Sequence, residues 1–457
     1  QDFDAPSQSS PASGGGQGGG DELWLTPLRT PLVATGFSAR SLSLLRERAS
    51  GLGLVPVQGG GAGAKVLEAA KDVALEPGGP LAISLIRGDF DLSGIGTVTH
   101  IEGNRVYGWG HPFMALGGCE FPLMTGFIHT IYPRQTVSFK IGSPLRPVGV
   151  INADVSTCIA GWLGKEPDLM PMKMTVVRSD DSAPRTFNVE VARHKALLSS
   201  LVYTALTNSV DTEGEMPEEM TADMQARIEV EGRAPLILKD TFSGFSGGRA
   251  PQVLYGQLAS AVSLLTQNPY RPLRINRIEC ETTIHAGRRS ADIEAVELES
   301  EVYAPGDTLR AKVFVRPYKG RLQPLRVALK LPADLPEGRY TATLCDDLTA
   351  VRQDIRDNPS LYSPQNVDQI LDMVRVQLSA KRNNLVVRVP LGATGVSLAG
   401  KDMPELPGSM VQILGNSRRS GSQTISSALT SRRATDWIIQ GQEAVSFRVA
   451  KDRKITD

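Results

Sequence analysis

Between Leu81 and Val191 apolar residues fall at every second position in short runs, among them Leu81-Ala-Ile-Ser-Leu-Ile86, Thr136-Val-Ser-Phe139, Met172-Lys-Met-Thr-Val-Val177 and Phe187-Asn-Val-Glu-Val191. A period of two places alternate side chains on one face of a strand. Glycines and prolines separate the runs, as the turns of barrels and sandwiches require. Three segments switch to helical spacing. Ser38 is placed to cap a helix over Ala39–Arg48 carrying Leu42, Leu44 and Leu45. Leu197, Leu198, Leu201, Val202 and Leu206 repeat as one helical face, and so do Val253, Leu254, Leu258, Val262 and Leu265. Thr26–Val33 holds two prolines and reads as extended, and Ala226–Val230 follows an acidic turn region, Asp211–Glu219, as a strand.

A second alternating region opens near Ile275. Ala295–Val302 and Leu309–Val315 flank an Ala304-Pro-Gly-Asp307 turn, and Leu325–Leu331 and Gly338–Leu344 follow. Strands of that length and spacing predict an immunoglobulin-like sandwich. Beyond it, Ser363 and Pro364 begin a helix in which Val367, Ile370, Leu371, Val374 and Leu378 share a face. Leu385–Val389 and Val445–Val449 read as strands, and the Ser/Arg-rich Asn416–Ser431 reads as a loop. The predicted class is mainly β with α+β elements. The expected units are a Ser/Pro/Gly-rich linker over residues 1–23, a first domain over 24–270, the sandwich over 271–350 and an accessory α+β segment over 351–457.

Composition narrows the function classes. The chain has 457 residues, enough for two to four domains, and 49 basic against 49 acidic side chains, which leaves no electrostatic footprint for nucleic acid. No run reaches the length needed to span a bilayer, so no transmembrane segment is expected. The four cysteines, Cys119, Cys158, Cys280 and Cys345, contain no Cys-x-x-Cys pair. Cys280 and Cys345 fall near the two ends of the predicted sandwich, so a bridge between them and two buried free thiols both remain open. The five histidines show no helical metal-pair spacing, and no metal or cofactor is expected. The glycine run Gly59–Gly63 lacks the Lys-Ser/Thr ending of a phosphate loop and reads as a plain loop.

The segment most charged with chemistry is Gly94-Ile-Gly-Thr-Val-Thr-His-Ile-Glu-Gly-Asn-Arg-Val-Tyr-Gly-Trp-Gly-His111-Pro-Phe113. β-formers, a Glu102-Gly-Asn104 turn and a second strand deliver His111 to a glycine-flanked bend. Here the chain resembles the stage IV sporulation protein B (SpoIVB) family of serine peptidases, whose histidine stands in a Gly-His-Pro element soon after a Gly-Thr-x-Thr strand. The likeness continues through Gly126, Gly142–Pro147 and Ile159-Ala-Gly161, over about a third of the chain. The resemblance implies a trypsin-like β-barrel, His111 as general base, a protein or peptide substrate that includes a possible N-terminal fragment of the protein itself, and a site outside the cytoplasm.

The family serine stands in Gly-Met-Ser-Gly-Ser-Pro, and no such hexapeptide occurs here. Either the serine motif precedes Gln1 in a longer precursor, or the fold is a pseudopeptidase serving as an envelope interaction scaffold. Within the chain, Ser246 in Ser243-Gly-Phe-Ser-Gly-Gly248 is a nucleophile candidate set against a flexible helix-capping connector, and Ser156 reads as a β-strand serine. Asp154 is the orienter candidate, with Asp89 and Asp91 as alternatives, each requiring a hydrogen bond to the imidazole.

Overall fold

The computed structural model describes residues 30–49, 53–61, 63, 66, 68, 70, 72–133, 139–179, 183–245, 250–358, 364–398, 401–415 and 422–451. The expected linker over residues 1–23 lies outside them. The chain is mainly β, as its alternation predicts.

Thirteen strands form one hydrogen-bonded sheet: β1 (Thr30–Thr35), β2 (Leu54–Gln58), β3 (Pro80–Gly88), β4 (Asp91–Glu102), β5 (Arg105–Gly108), β6 (Gly117–Tyr132), β7 (Phe139–Val155), β8 (Cys158–Leu163), β9 (Leu169–Arg178), β10 (Arg185–Ala192), β11 (Glu219–Val230), β12 (Leu236–Phe245) and β13 (Ile275–Ala286). The sheet closes on itself. β3 pairs with β6 and β4, and the ring β3-β6-β7-β8-β5-β4 is antiparallel at every step, so six strands make a barrel without edges.

The barrel forks because two strands change partner along their length. β3 pairs with β6 through Leu81–Ile83, then with β10 through Ile86–Gly88. β4 pairs with β3 through Leu92–Thr97 and with β5 from Val98 onward, while its first residues also hold β1. From β10 the sheet runs out through β9, β13, β11 and β12. Helices Leu198–Asp211 and Ala250–Thr266 fall where their apolar periodicity predicts them, and their buried residues join the same core. Ser38 caps helix Ala39–Ala49, its Oγ accepting the Ser41 amide at 3.0 Å.

The second core lies between two further sheets. One contains β14 (Ser290–Leu298), β16 (Thr308–Pro317), β17 (Gln323–Lys330) and β22 (Ile438–Gln440). The other contains β15 (Val302–Tyr303), β18 (Gly338–Asp346), β19 (Asn384–Leu398), β20 (Lys401–Met403), β21 (Ser422–Ala434) and β23 (Glu443–Val449). Leu309, Val313, Val315 and Leu329 of the first sheet share one buried cluster with Leu344, Leu385, Val387, Phe447 and Val449 of the second.

Several expected boundaries move. β13, expected to open the second unit, pairs with β9 and β11 of the first sheet. The stretch expected as an accessory segment supplies β19, β21, β22 and β23, which complete both sheets of the second core. β21 takes up residues 422–431 of the expected loop; residues 416–421 lie outside the described residues. Its side chains are only half-buried, and a twelve-residue ladder to β19 holds it instead of an apolar face, so hydrophobic spacing gave no sign of it. The helix expected near Pro364 runs Val367–Ser379, capped by the Asn366 side chain on the Gln369 amide; its face Ile370, Leu371, Val374 and Leu378 buries into the first core. Ser363 lies outside the described residues. All four cysteines are free, and Cys280 and Cys345 occupy different cores, so they form no bridge. Burial pushes each of those two thiols up to about 12. No described helix is long and apolar enough to cross a membrane.

Asp91 stands at the fork, its carboxylate accepting hydroxyl protons from Ser84, at 3.2 Å, and from Ser93. Burial raises its pKa to about 7, against the opposing pull of the two hydroxyls and Arg87. The folded state therefore binds this proton more tightly than the unfolded chain, and stability falls as pH rises from 3.8 through about 7, levelling above it. The slope has an upper limit of ~1.4 kcal/mol per pH unit. Urea midpoints measured between about pH 4 and about pH 8 should show this decline in the native protein, and Asp91→Asn should remove that component.

Candidate functional site

The bend that carries His111 is built on two missing side chains. β4 places Gly94 and Gly96 on the face that meets the indole of Trp109. A Cβ on Gly96 would stand 2.0 Å from Trp109 Nε1, and one on Gly94 would stand 2.8 Å from both Trp109 and Phe113. The indole therefore lies flush on the strand. Trp109 adopts φ +72° and Gly110 φ +71°, consecutive left-handed residues that turn the chain sharply after β5. A tryptophan in that region is strained by ~1 kcal/mol or more. Its packing offsets this: the Phe113 ring meets the indole edge-on at 4.9 Å, and the Trp109 amide donates to Thr97 O at 2.9 Å.

Asp154 fastens the other side of the bend. It lies at the end of β7, 1% exposed, opposite Gly117 of β6. Its Oδ1 accepts the Phe113 amide at 2.7 Å, and its Oδ2 accepts the amides of Met114 at 2.9 Å and Leu116 at 3.1 Å. A carboxylate bonded to several backbone N–H groups forms strong, directional contacts. The loop 113–116 is thereby tied to the barrel, and Ala115 is held at φ +55° within it.

His111 is exposed between these two anchors. Its Nδ1 lies 2.8 Å from Pro112 O, and its ring packs at 5.6 Å from Trp109. A carbonyl only accepts, so Nδ1 carries the proton of the neutral ring and Nε2 keeps its lone pair toward solvent. A backbone carbonyl thus fixes the tautomer expected to require an aspartate. None of the three aspartate candidates does so. Asp154 is occupied by loop amides, Asp89 accepts the Asn188 amide at 2.6 Å, and Asp91 is bonded to Ser84 and Ser93.

The serine candidates fare differently. Ser246 lies outside the described residues. Ser156 is exposed in the two-residue turn between β7 and β8, not within a strand. The fold also assembles a serine and a histidine that sequence reading passed over: His129 Nε2 stands 2.7 Å from Ser143 Oγ. Ser143 is 1% exposed and donates its single proton to Gly60 O, so it has neither access to a substrate nor a proton directed at the imidazole.

A second titratable cluster lies on β11, β12 and β13. Asp223 Oδ2 meets His285 Nε2 at 3.0 Å, and Asp223 Oδ1 accepts the Thr241 hydroxyl at 2.6 Å. Asp223 and Thr241 face each other across one strand pair, and His285 sits opposite Thr221 across the next. No spacing in the sequence announces this, because strand pairing alone brings residues 223, 241 and 285 together. Close to Asp154, His194 is held below its ordinary value, first by burial and then by Lys195, against the opposing charge of Asp154. The Cys119 thiol is pushed up to about 12 by burial, with Asp154 and Glu120 adding to it. It is therefore a thiol, not a thiolate nucleophile.

No protein-family model, no curated protein and no solved structure matches this chain.

Two variants test the bend. Gly96→Ala should displace the indole and cost about 3 kcal/mol or more, read as a lower urea midpoint together with a shifted tryptophan emission maximum. Asp154→Ala leaves three amides without their acceptor and should cost about 3 kcal/mol, with hydrogen exchange accelerated at residues 113–116 before the rest of the barrel.

Proposed function

We propose that this chain is the histidine-bearing portion of a SpoIVB-like serine endopeptidase that acts on a protein substrate outside the cytoplasm. The observation that carries this reading is the state of His111: exposed, held on a rigid bend, with Nδ1–H committed to Pro112 O and Nε2 open. That is the arrangement a general base needs before a hydroxyl arrives. A closed six-stranded antiparallel barrel also suits the trypsin-like half implied by the resemblance, and the two packed sheets beyond it suit an immunoglobulin-like module.

The chemistry follows from the open nitrogen. Nε2 takes the proton of a serine hydroxyl as its oxygen attacks a peptide carbonyl, then returns that proton to the departing amine. Backbone amides beside the serine hold the oxyanion. In this scheme the hydroxyl comes from outside the described residues; within them the ring is bonded at Nδ1 to Pro112 O. Asp154 acts in this scheme as a positioning residue, fixing the loop that follows His111 and leaving the ring itself untouched.

A second reading, a non-catalytic envelope scaffold, draws on the engagement of all three candidate carboxylates away from the imidazole. The two part on one residue. In the full-length natural precursor, His111→Ala should lower labelling by a fluorophosphonate probe at least about 100-fold. It should leave stability within about 0.5 kcal/mol, because the ring is exposed. Absence of labelling in folded native precursor would remove the peptidase reading and leave the scaffold.

A further inference from the structure

Where the first sheet meets the second unit, a cavity of about 530 Å³ opens over the Asp223 cluster. One wall is the polar face of β11 and β12, with Thr221, Asp223 and Thr241; the other is Asn383 and the segment Thr435–Ile438 that leads into β22. A smaller cavity of about 300 Å³ shares Asp223, Thr241 and Asn383 and continues past Gln225, Lys239, Glu281 and Lys381. Through these shared residues the two form one groove.

The wall is stiff. Asp240 of β12 pairs with Arg382, and its carboxyl is raised by burial against the pull of that guanidinium. Asn383 Nδ2 donates to Thr435 O at 3.3 Å, and the Thr435 amide donates to Asn383 O at 2.9 Å. Thr435 Oγ1 further donates to Trp437 O at 2.6 Å. Asp223 is fixed by His285 and Thr241 yet keeps about half its side-chain surface open. Around it, the Arg289 guanidinium and the Asp436 carboxylate are exposed without a bonded partner among the described residues, and the half-buried Trp437 supplies an aromatic wall.

We propose that this groove binds a neutral carbohydrate chain. The lining excludes most alternatives by its chemistry. Trp437, Ile438 and Met224 are its main apolar members, too few to seat the side chains of a hydrophobic peptide or a lipid tail. Acidic side chains (Asp223, Asp240, Glu281, Asp436) and basic ones (Lys239, Lys381, Arg289) both line it, so neither a polyanion nor a polycation meets a complementary field. What remains is a set of planar acceptors (Asp223, Asp436, Asn383 Oδ1) beside a planar donor (Arg289) and one indole. A sugar hydroxyl donates and accepts at once and satisfies both kinds of group, while the apolar face of the ring covers the indole. The site is independent of His111 and holds under either reading of the barrel.

Saturation-transfer NMR of the intact chain against soluble hexose and N-acetylhexosamine di- to tetrasaccharides tests it, with a pool of tetrapeptides as comparison. The expected result is transfer to at least one saccharide, weakened about tenfold or more in Trp437→Ala and in the exposed-residue variants Arg289→Ala and Asp436→Ala. The last two change no packed side chain and keep the test sound if Trp437→Ala fails to fold. Transfer to tetrapeptides alone, transfer to no saccharide, or saccharide binding indifferent to Arg289→Ala and Asp436→Ala would each overturn the proposal.

Discussion

One buried carboxylate sets the geometry of the bend at the barrel. Asp154 accepts three amides from residues 113–116 and so converts the stretch after His111 from a free loop into a shelf. Burying a carboxylate without compensation is expensive, and three N–H donors compensate it only in this loop conformation. The Trp109 indole, seated on the bare backbone of Gly94 and Gly96, closes the opposite side. Between these anchors His111 has little freedom to choose where its ring points.

The barrel supports that shelf because it has no edge. A closed ring of six strands gives each backbone a partner on both sides, so the ends of β5, β6 and β7 hold fixed positions relative to one another. The forks at β3 and β4 then let the same sheet leave the barrel and carry helices Leu198–Asp211 and Ala250–Thr266. The second unit is bound to this body by helix Val367–Ser379, whose apolar face lies in the first core, and by the Asp240–Arg382 pair. The polar groove stands at that junction.

Much of the secondary structure was legible from periodicity. The helices over residues 198–211, 250–266 and 367–379 and the strands flanking Glu102-Gly-Asn104 follow from burial of one face, which leaves a period in the sequence. β21 left none, because it is held by its ladder and not by an apolar face. The limits of the two units were misplaced for a related reason. β13 alternates as a sandwich strand would, and alternation states which face is buried without stating against which sheet.

The sequence by itself determined that the chain is mainly β and that His111 stands at a sharp glycine-flanked bend. These are local properties, fixed by side-chain shape and backbone freedom within a few residues. Only the tertiary structure decided that Asp154 serves the loop and not the imidazole, that Pro112 O sets the tautomer, and that Asp223, Thr241 and His285 are hydrogen-bonded together. A carboxylate has more possible donors in sequence than it can satisfy in space, and which ones it takes depends on strand register, which is settled by pairing between segments far apart in the chain.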